Sequence, residues 1–133
     1  MRFSVIVQGL PPAKNEAVSM LGCTHKHRER VADLLSAVKQ AVEATEFDDF
    51  GQVPLGIELT IHSVDGQVPG DATNYLGGVG DVLEVKQHRK GISHLGELAT
   101  VALYVNDKQI KEVHYFLKTN PNGPYYELTI WSL

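Results

Sequence analysis

Residues 69–83, with the sequence PGDATNYLGGVGDVL, decide how this chain folds. Asp71 is a good helix N-cap, and on a helix Asp71, Gly78 and Asp81 fall within an arc of about 80°. The three glycines after Asp71 (Gly77, Gly78 and Gly80) oppose a helix by about 1 kcal/mol each. A helix here therefore requires either tight packing against a neighbour or a ligand that approaches the backbone. A phosphate-binding loop is disfavoured, because no Gly-Lys-Ser/Thr follows.

The residues before this stretch predict a strand, a helix and a second strand. Residues 3–8 form an apolar segment that ends at Gly9 and two prolines. Between residues 24 and 45, apolar side chains recur at steps of three and four, which predicts an amphipathic helix with Thr24 as its N-cap. Apolar and polar residues then alternate over 57–62, which indicates a half-buried strand.

The residues after it predict further strands. Alternation over 113–118 and 126–131, with Asn122-Gly123 between them, predicts a β-hairpin. Residues 100–105 suit either a strand or, with Leu95, Leu98 and Ala99, a short helix. Strands and helices mixed without strict alternation favour one α+β domain over 1–133, with a small mixed sheet packed against two or more helices.

Composition excludes several classes of protein. The 133 residues are 43% hydrophobic and 21% charged, close to the globular average. No apolar run approaches the ~20 residues of a membrane span, and the opening residues are too few for a secretory signal. The single cysteine, Cys23, cannot form an internal disulfide, so we expect a cytoplasmic protein. The lack of a long apolar run leads us to expect no membrane partner.

The net charge of −4 is unusual for a nucleic-acid binder. Half of the basic residues nevertheless lie in two short stretches. These stretches form either a local basic surface that binds a partner or simply two solvated faces. These residues are Lys26, Arg28, Arg30, Lys86, Arg89 and Lys90.

The order of the motifs resembles that of the RusA-type Holliday-junction resolvases. Asp71-Ala72-Thr73-Asn74, then Asp81, and then Asn106-Asp107-Lys108-Gln109-Ile110 follow that family's Asp-x-Asp-Asn helix start and Asp-Asp-x-Gln-Ile turn. The Pro11-Pro12-Ala13-Lys14-Asn15 turn and the last strand also occur in the expected order. The resemblance covers nearly the whole chain, with 84–97 as an insertion.

This resemblance implies a homodimeric, Mg²⁺-dependent endonuclease that acts on branched DNA in recombination and repair. It implies that Asp71 and Asp107 are catalytic and bind the metal ion together with Asp81, with Thr73 and Asn74 in supporting positions. Hard oxygen ligands of this kind suit Mg²⁺. The basic residues expected to contact DNA phosphates are Lys14, Lys86, Arg89 and Lys90.

The chain departs from the family pattern at three positions. Thr73 replaces the second aspartate, Gly77 replaces a lysine, and Asn106 replaces the first acid of the turn. Loss of a carboxylate and a lysine weakens cation binding and slows phosphoryl transfer. Asp81 could replace the missing metal ligand by turning inward. Another lysine (Lys14, Lys108 or Lys118) could supply the missing positive charge.

Two other functions are consistent with the same sequence. The first is a catalytically degenerate RusA-fold module that binds DNA or a protein without cutting. The second is an unrelated α+β protein whose glycine-rich helix serves a subunit interface. The cluster of Cys23, His25 and His27 lacks the spacing of a zinc site.

Overall fold

Two α-helices and four strands build the chain, as shown by a computed structural model that describes residues 1–14, 19–86 and 89–133. The α+β class and the mixed sheet are confirmed. In order along the chain the elements are β1 (Arg2–Gln8), α1 (Arg28–Thr45), β2 (Leu55–Ser63), α2 (Ala72–Leu83), β3 (Ile110–Thr119) and β4 (Tyr125–Ser132). Two 3₁₀-helices, Ser93–Thr100 and Asp107–Gln109, precede β3.

The sheet has the strand order β1-β4-β2-β3, so the predicted hairpin between β3 and β4 is wrong. β4 runs antiparallel to both β1 and β2, whereas β3 runs parallel to β2. β2 therefore lies between the two strands that the turn connects. The turn crosses the end of β2, where the Asn120 N–H donates to the Ser63 carbonyl at 2.7 Å. β2 is buried along most of its length, on its polar positions as well as its apolar ones, as is typical of a strand with a partner on each side.

The helix α1 covers one face of the sheet with the apolar stripe that the sequence predicts. Its first turn starts at Arg28, with His27 as the N-cap, so the prediction of Thr24 is wrong by one turn. Residues 24–27 instead form turns that lead into the helix. The buried side chains of α1 are Val31, Leu34, Leu35 and Val38.

The helix α2 begins as predicted. The Asp71 carboxylate accepts a hydrogen bond from the Asn74 N–H at 2.9 Å, which satisfies one of the free amides of the first turn. Gly78 lies so close to the carbonyl of Pro12 that a Cβ would collide with it. Tight packing against the segment after β1 therefore accounts for this glycine, as the sequence predicts.

The segment from 84 to 105 contains no strand of the sheet among its described residues. Residues 100–105 form neither a strand nor a full helix, although one isolated bridge joins Glu84 to Tyr104. The predicted insertion at 84–97 includes two residues outside the described ranges, and Asn15 of the early turn also lies outside them. Among the described residues, no helix has both the length and the apolar character needed to cross a membrane.

Candidate metal centre

Three carboxylates converge where α2 ends. Asp81, Glu84 and Asp107 each offer one oxygen, and these three atoms lie within 4.8 Å of one another. Asp81 lies in the last turn of α2, Glu84 is the C-cap of that helix, and Asp107 opens the second 3₁₀-helix. We call these three residues the acidic cluster. It brings together two predicted metal ligands, Asp81 and Asp107, with one acid that the sequence reasoning missed.

Backbone contacts hold the acidic cluster in place. The Asp107 N–H donates to Glu84 Oε2 at 2.9 Å. Asp107 packs beside Gly80, where a Cβ would lie at an ordinary contact distance of 3.7 Å from the Asp107 Cβ. The buried Tyr104 hydroxyl donates to the Gly80 carbonyl at 2.6 Å and ties α2 to the segment before Asp107. Burial raises the pKa of Tyr104 well above its usual value, and Asp107, Glu84 and Asp81 add to the effect. The phenol therefore stays protonated and remains a donor.

Two cations flank the acidic cluster. The Lys14 ammonium lies 3.8 Å from Asp81 Oδ2, and the Arg89 guanidinium pairs with Glu84 Oε1. Lys14 reaches Asp81 by crossing Gly77: its Cδ lies 3.3 Å from the position that a Cβ of residue 77 would occupy. A lysine from the segment after β1 thus fills the space beside the position where the RusA pattern has its lysine.

The donor set fits a hard divalent cation. Carboxylate oxygens are the ligands that Mg²⁺ and Ca²⁺ prefer, and Mg²⁺ commonly binds through one or two carboxylates and keeps several waters. Asp81 and Glu84 have side chains that are 18% and 12% exposed, so the cluster is sheltered but open to solvent. A divalent cation can bind here; nothing in the donor set distinguishes Mg²⁺ from Mn²⁺.

Asp71, Thr73 and Asn74 lie at the other end of α2. The helix places Asp71, its N-cap, thirteen positions before Glu84, which is about 20 Å along the axis. Asp71 Oδ1 accepts from the Asn74 N–H and from the Thr73 hydroxyl, at 2.9 Å each. These bonds, the Asn74 one first, lower the pKa of Asp71. Within this chain, therefore, Asp71 is not brought to Asp107.

The residues predicted to contact DNA differ in exposure. Lys86 is only 1% exposed, so the expectation that it neutralises a phosphate is wrong. Its ammonium donates to the carbonyls of Glu84, at 3.1 Å, and Val101. Lys14 is half exposed and Lys90 is exposed, whereas Arg89 is occupied with Glu84. Lys86 is buried because the carbonyls of Glu84 and Val101 need a hydrogen-bond donor, and this contact depends on the tertiary structure.

Glu84 is the member of the acidic cluster that the sequence does not predict. A signal existed, because Glu84 follows Asp81 by three residues, the spacing that places two side chains on one side of a helix end. The approach of Asp107 to that face is a long-range contact that no local pattern encodes.

A scan against protein-family models and a search of curated proteins found no match to this chain.

Proposed function

We propose that this chain is a divalent-cation-dependent endonuclease of the RusA type that cuts branched DNA at the acidic cluster. The observation that carries the proposal is the convergence of three carboxylate oxygens within 4.8 Å. When bound, Mg²⁺ would polarise the phosphate that is cut and activate a water molecule. Asp81 and Asp107 would hold the cation, and Glu84 would orient Asp107 through its N–H.

Two departures from the RusA pattern have substitutes at the acidic cluster, and this supports an active enzyme. Thr73 removes one carboxylate from the family pattern, and Glu84 supplies a third carboxylate to the acidic cluster at the other end of α2. Lys14 contributes a cation beside Gly77, and its ammonium lies 3.8 Å from Asp81. A positive charge at that position stabilises the negative charge that develops on a phosphate in the transition state.

The second candidate function is a RusA-fold module that binds branched DNA or a protein without cutting it. The engagement of both Glu84 oxygens favours this alternative: one pairs with Arg89 and the other accepts the Asp107 N–H. Asp71 is also committed to capping α2. In this case we expect binding of a four-way junction with no cleavage in Mg²⁺ or Mn²⁺.

Cleavage of a synthetic four-way junction tests the first candidate. We expect cleavage in Mg²⁺ or Mn²⁺, no cleavage in EDTA, and a loss of about a hundredfold or more in Asp107→Asn. Asp65→Asn is the matched control, because Asp65 is an exposed acid in the turn after β2, outside the acidic cluster. Equal cleavage by Asp107→Asn and the wild type would remove Asp107 from the mechanism.

Cation binding can be measured without activity. A cation that binds only the folded protein raises its free energy of unfolding in proportion to the logarithm of the cation concentration. We expect Mn²⁺ to raise the melting temperature of the wild type but not of Glu84→Gln or Asp107→Asn. An equal rise in all three proteins would place the cation elsewhere.

Asp71→Asn separates the family pattern from the structure of this chain. Asparagine caps a helix as well as aspartate does, so the variant should fold normally. A catalytic Asp71, as the resemblance implies, predicts loss of cleavage. A capping role alone predicts cleavage at the wild-type rate.

Homodimer formation belongs to the same proposal, and the edge strand β3 supports it. Its pairing with β2 puts Val113 and Leu117 beside Ile57 and Ile61, on the face that forms the core. Val113 is nevertheless 57% exposed and Leu117 38% exposed. An exposed apolar edge of this kind is a ready site for a second copy.

A further inference from the structure

A cavity of about 140 Å³ lies beside the first turn of α2, away from the acidic cluster. It is enclosed by the segment after β1, the residues that lead into α1, and the start of α2. Four of its lining residues are basic, and together we call them the basic pocket: Lys14, Lys26, His27 and Arg30.

His27 and Arg30 are fixed by the segment after β1. His27 Nδ1 lies 3.1 Å from the Ala13 amide nitrogen and 3.2 Å from the Ala13 carbonyl oxygen. Arg30 Nη1 lies 3.5 Å from the Pro11 carbonyl and 3.4 Å from His27 Nε2. The Arg30 guanidinium is therefore held beside the imidazole in an already formed site, and its other N–H groups are suited to an oxyanion.

The charge around the pocket is positive. Burial lowers the pKa of His27, and the nearby Arg30 lowers it further, against a smaller rise from its bond with Ala13. Burial and Lys26 lower the pKa of His25 in the same region. Over residues 1–14, 19–86 and 89–133, no acidic side chain forms an ion pair with Lys26, His27 or Arg30.

We propose that the basic pocket binds a phosphate group. Oxyanions with several acceptor oxygens match two lysines and an arginine that line one cavity. The cavity is smaller than the roughly 300 Å³ at which small-molecule sites begin, so it accepts a group and not a whole nucleotide. The phosphate belongs either to a free mononucleotide or to the backbone of a DNA strand.

The position of Lys14 connects the pocket to the acidic cluster, and this step rests on the proposed nuclease function. Lys14 lines the pocket and also pairs with Asp81. From Asn74, at the pocket, to Asp81 is seven residues, or about 10 Å along α2. That distance equals the rise of about three nucleotides along the axis of a DNA duplex. A strand with one phosphate at the acidic cluster could thus place another in the basic pocket.

Lys26→Gln is the variant that tests the proposal, because Lys26 is exposed and the described structure records no side-chain hydrogen bond for it. Lys39→Gln is the matched control: it removes the same charge from the same region of sequence, but Lys39 pairs with Glu43 on α1. The probes are inorganic phosphate, a 5′-mononucleotide and a 12-nucleotide strand without terminal phosphates. Their affinities are measured by calorimetry at constant ionic strength.

We expect Lys26→Gln to weaken the binding of at least one of these three probes about tenfold, and we expect Lys39→Gln to leave all three affinities unchanged. An effect on inorganic phosphate and the mononucleotide identifies a free-phosphate site, and an effect on the strand alone identifies a backbone site. Phosphate should also raise the pKa of the His27 ring, measured by NMR, but not that of the distant His114. Arg30→Lys is a second variant that keeps the charge and loses the planar guanidinium donors, and we expect it also to weaken phosphate binding.

Equal affinities of wild type and Lys26→Gln for all three probes, with no change at His27, would overturn the proposal. Its failure is distinguishable from failure of the nuclease proposal. Asp107→Asn leaves the pocket intact, so the effect of Lys26→Gln on phosphate binding should persist in that background even if no junction is ever cut.

Discussion

Replacing Gly78 by alanine should destabilise the protein, although alanine favours a helix. Alanine gains about 1 kcal/mol over glycine within a helix. The new Cβ would however collide with the Pro12 carbonyl oxygen, and it would lie 2.8 Å from the carbonyl carbon and 3.1 Å from Ala13 Cα. These are backbone atoms that cannot rotate away, and overpacking of this kind costs typically 1–3 kcal/mol or more. Because the clash is with backbone, the cost falls at the upper end of that range, about 3 kcal/mol, and leaves a net loss of about 2 kcal/mol in the free energy of unfolding.

Gly77→Ala is the matched control on the same helix. Its Cβ would meet only Lys14, at 3.3 Å from Cδ, and a lysine side chain can shift. We therefore expect stability unchanged or raised by up to about 1 kcal/mol. Urea unfolding followed by circular dichroism measures both variants. A Gly78→Ala variant as stable as Gly77→Ala would refute the packing of α2 against the segment after β1.

Two further predictions concern the buried lysine and the sheet edge. Burial, with Arg89 adding to it, lowers the pKa of Lys86 to about 8, so between pH 8 and 10.5 the unfolded chain binds the proton that the folded one has lost. Relative to Lys86→Met, the wild type should gain up to about 3 kcal/mol in unfolding free energy as the pH rises through that window; a pH-independent difference would contradict the shift. Val113→Lys should shift the proposed dimer to monomer in light scattering, with the melting temperature of the monomer retained, because charged edge strands resist pairing. Val64→Lys, an exposed valine beyond the end of β2, is the control.

Local order was largely predictable. The stripe of α1, the Asp71 cap and the alternation within β2, β3 and β4 follow from side-chain spacing, which repeats at the period of a helix or a strand. The glycines of α2 predicted a close approach by either a neighbouring segment or a ligand, and at Gly78 it is the segment after β1. Such signals act over a few residues and hold wherever the segment lies in the fold.

The candidate site was predictable only in part. Asp81 and Asp107 came from the order of motifs, whereas Glu84 joined them only when the second 3₁₀-helix packed against α2. Lys86 looked like a surface lysine but is buried because two carbonyls require a donor. The crossing of Lys14 over Gly77 depends on how the segment after β1 meets α2.

The sequence by itself determined the α+β class, the helices and the strands, because each depends on local periodicity and capping. Tertiary structure alone decided that β4 enters between β1 and β2, and which acids and cations meet at the end of α2. These are contacts between residues distant along the chain, whose free energy comes from burial and pairing that exist only in the complete fold.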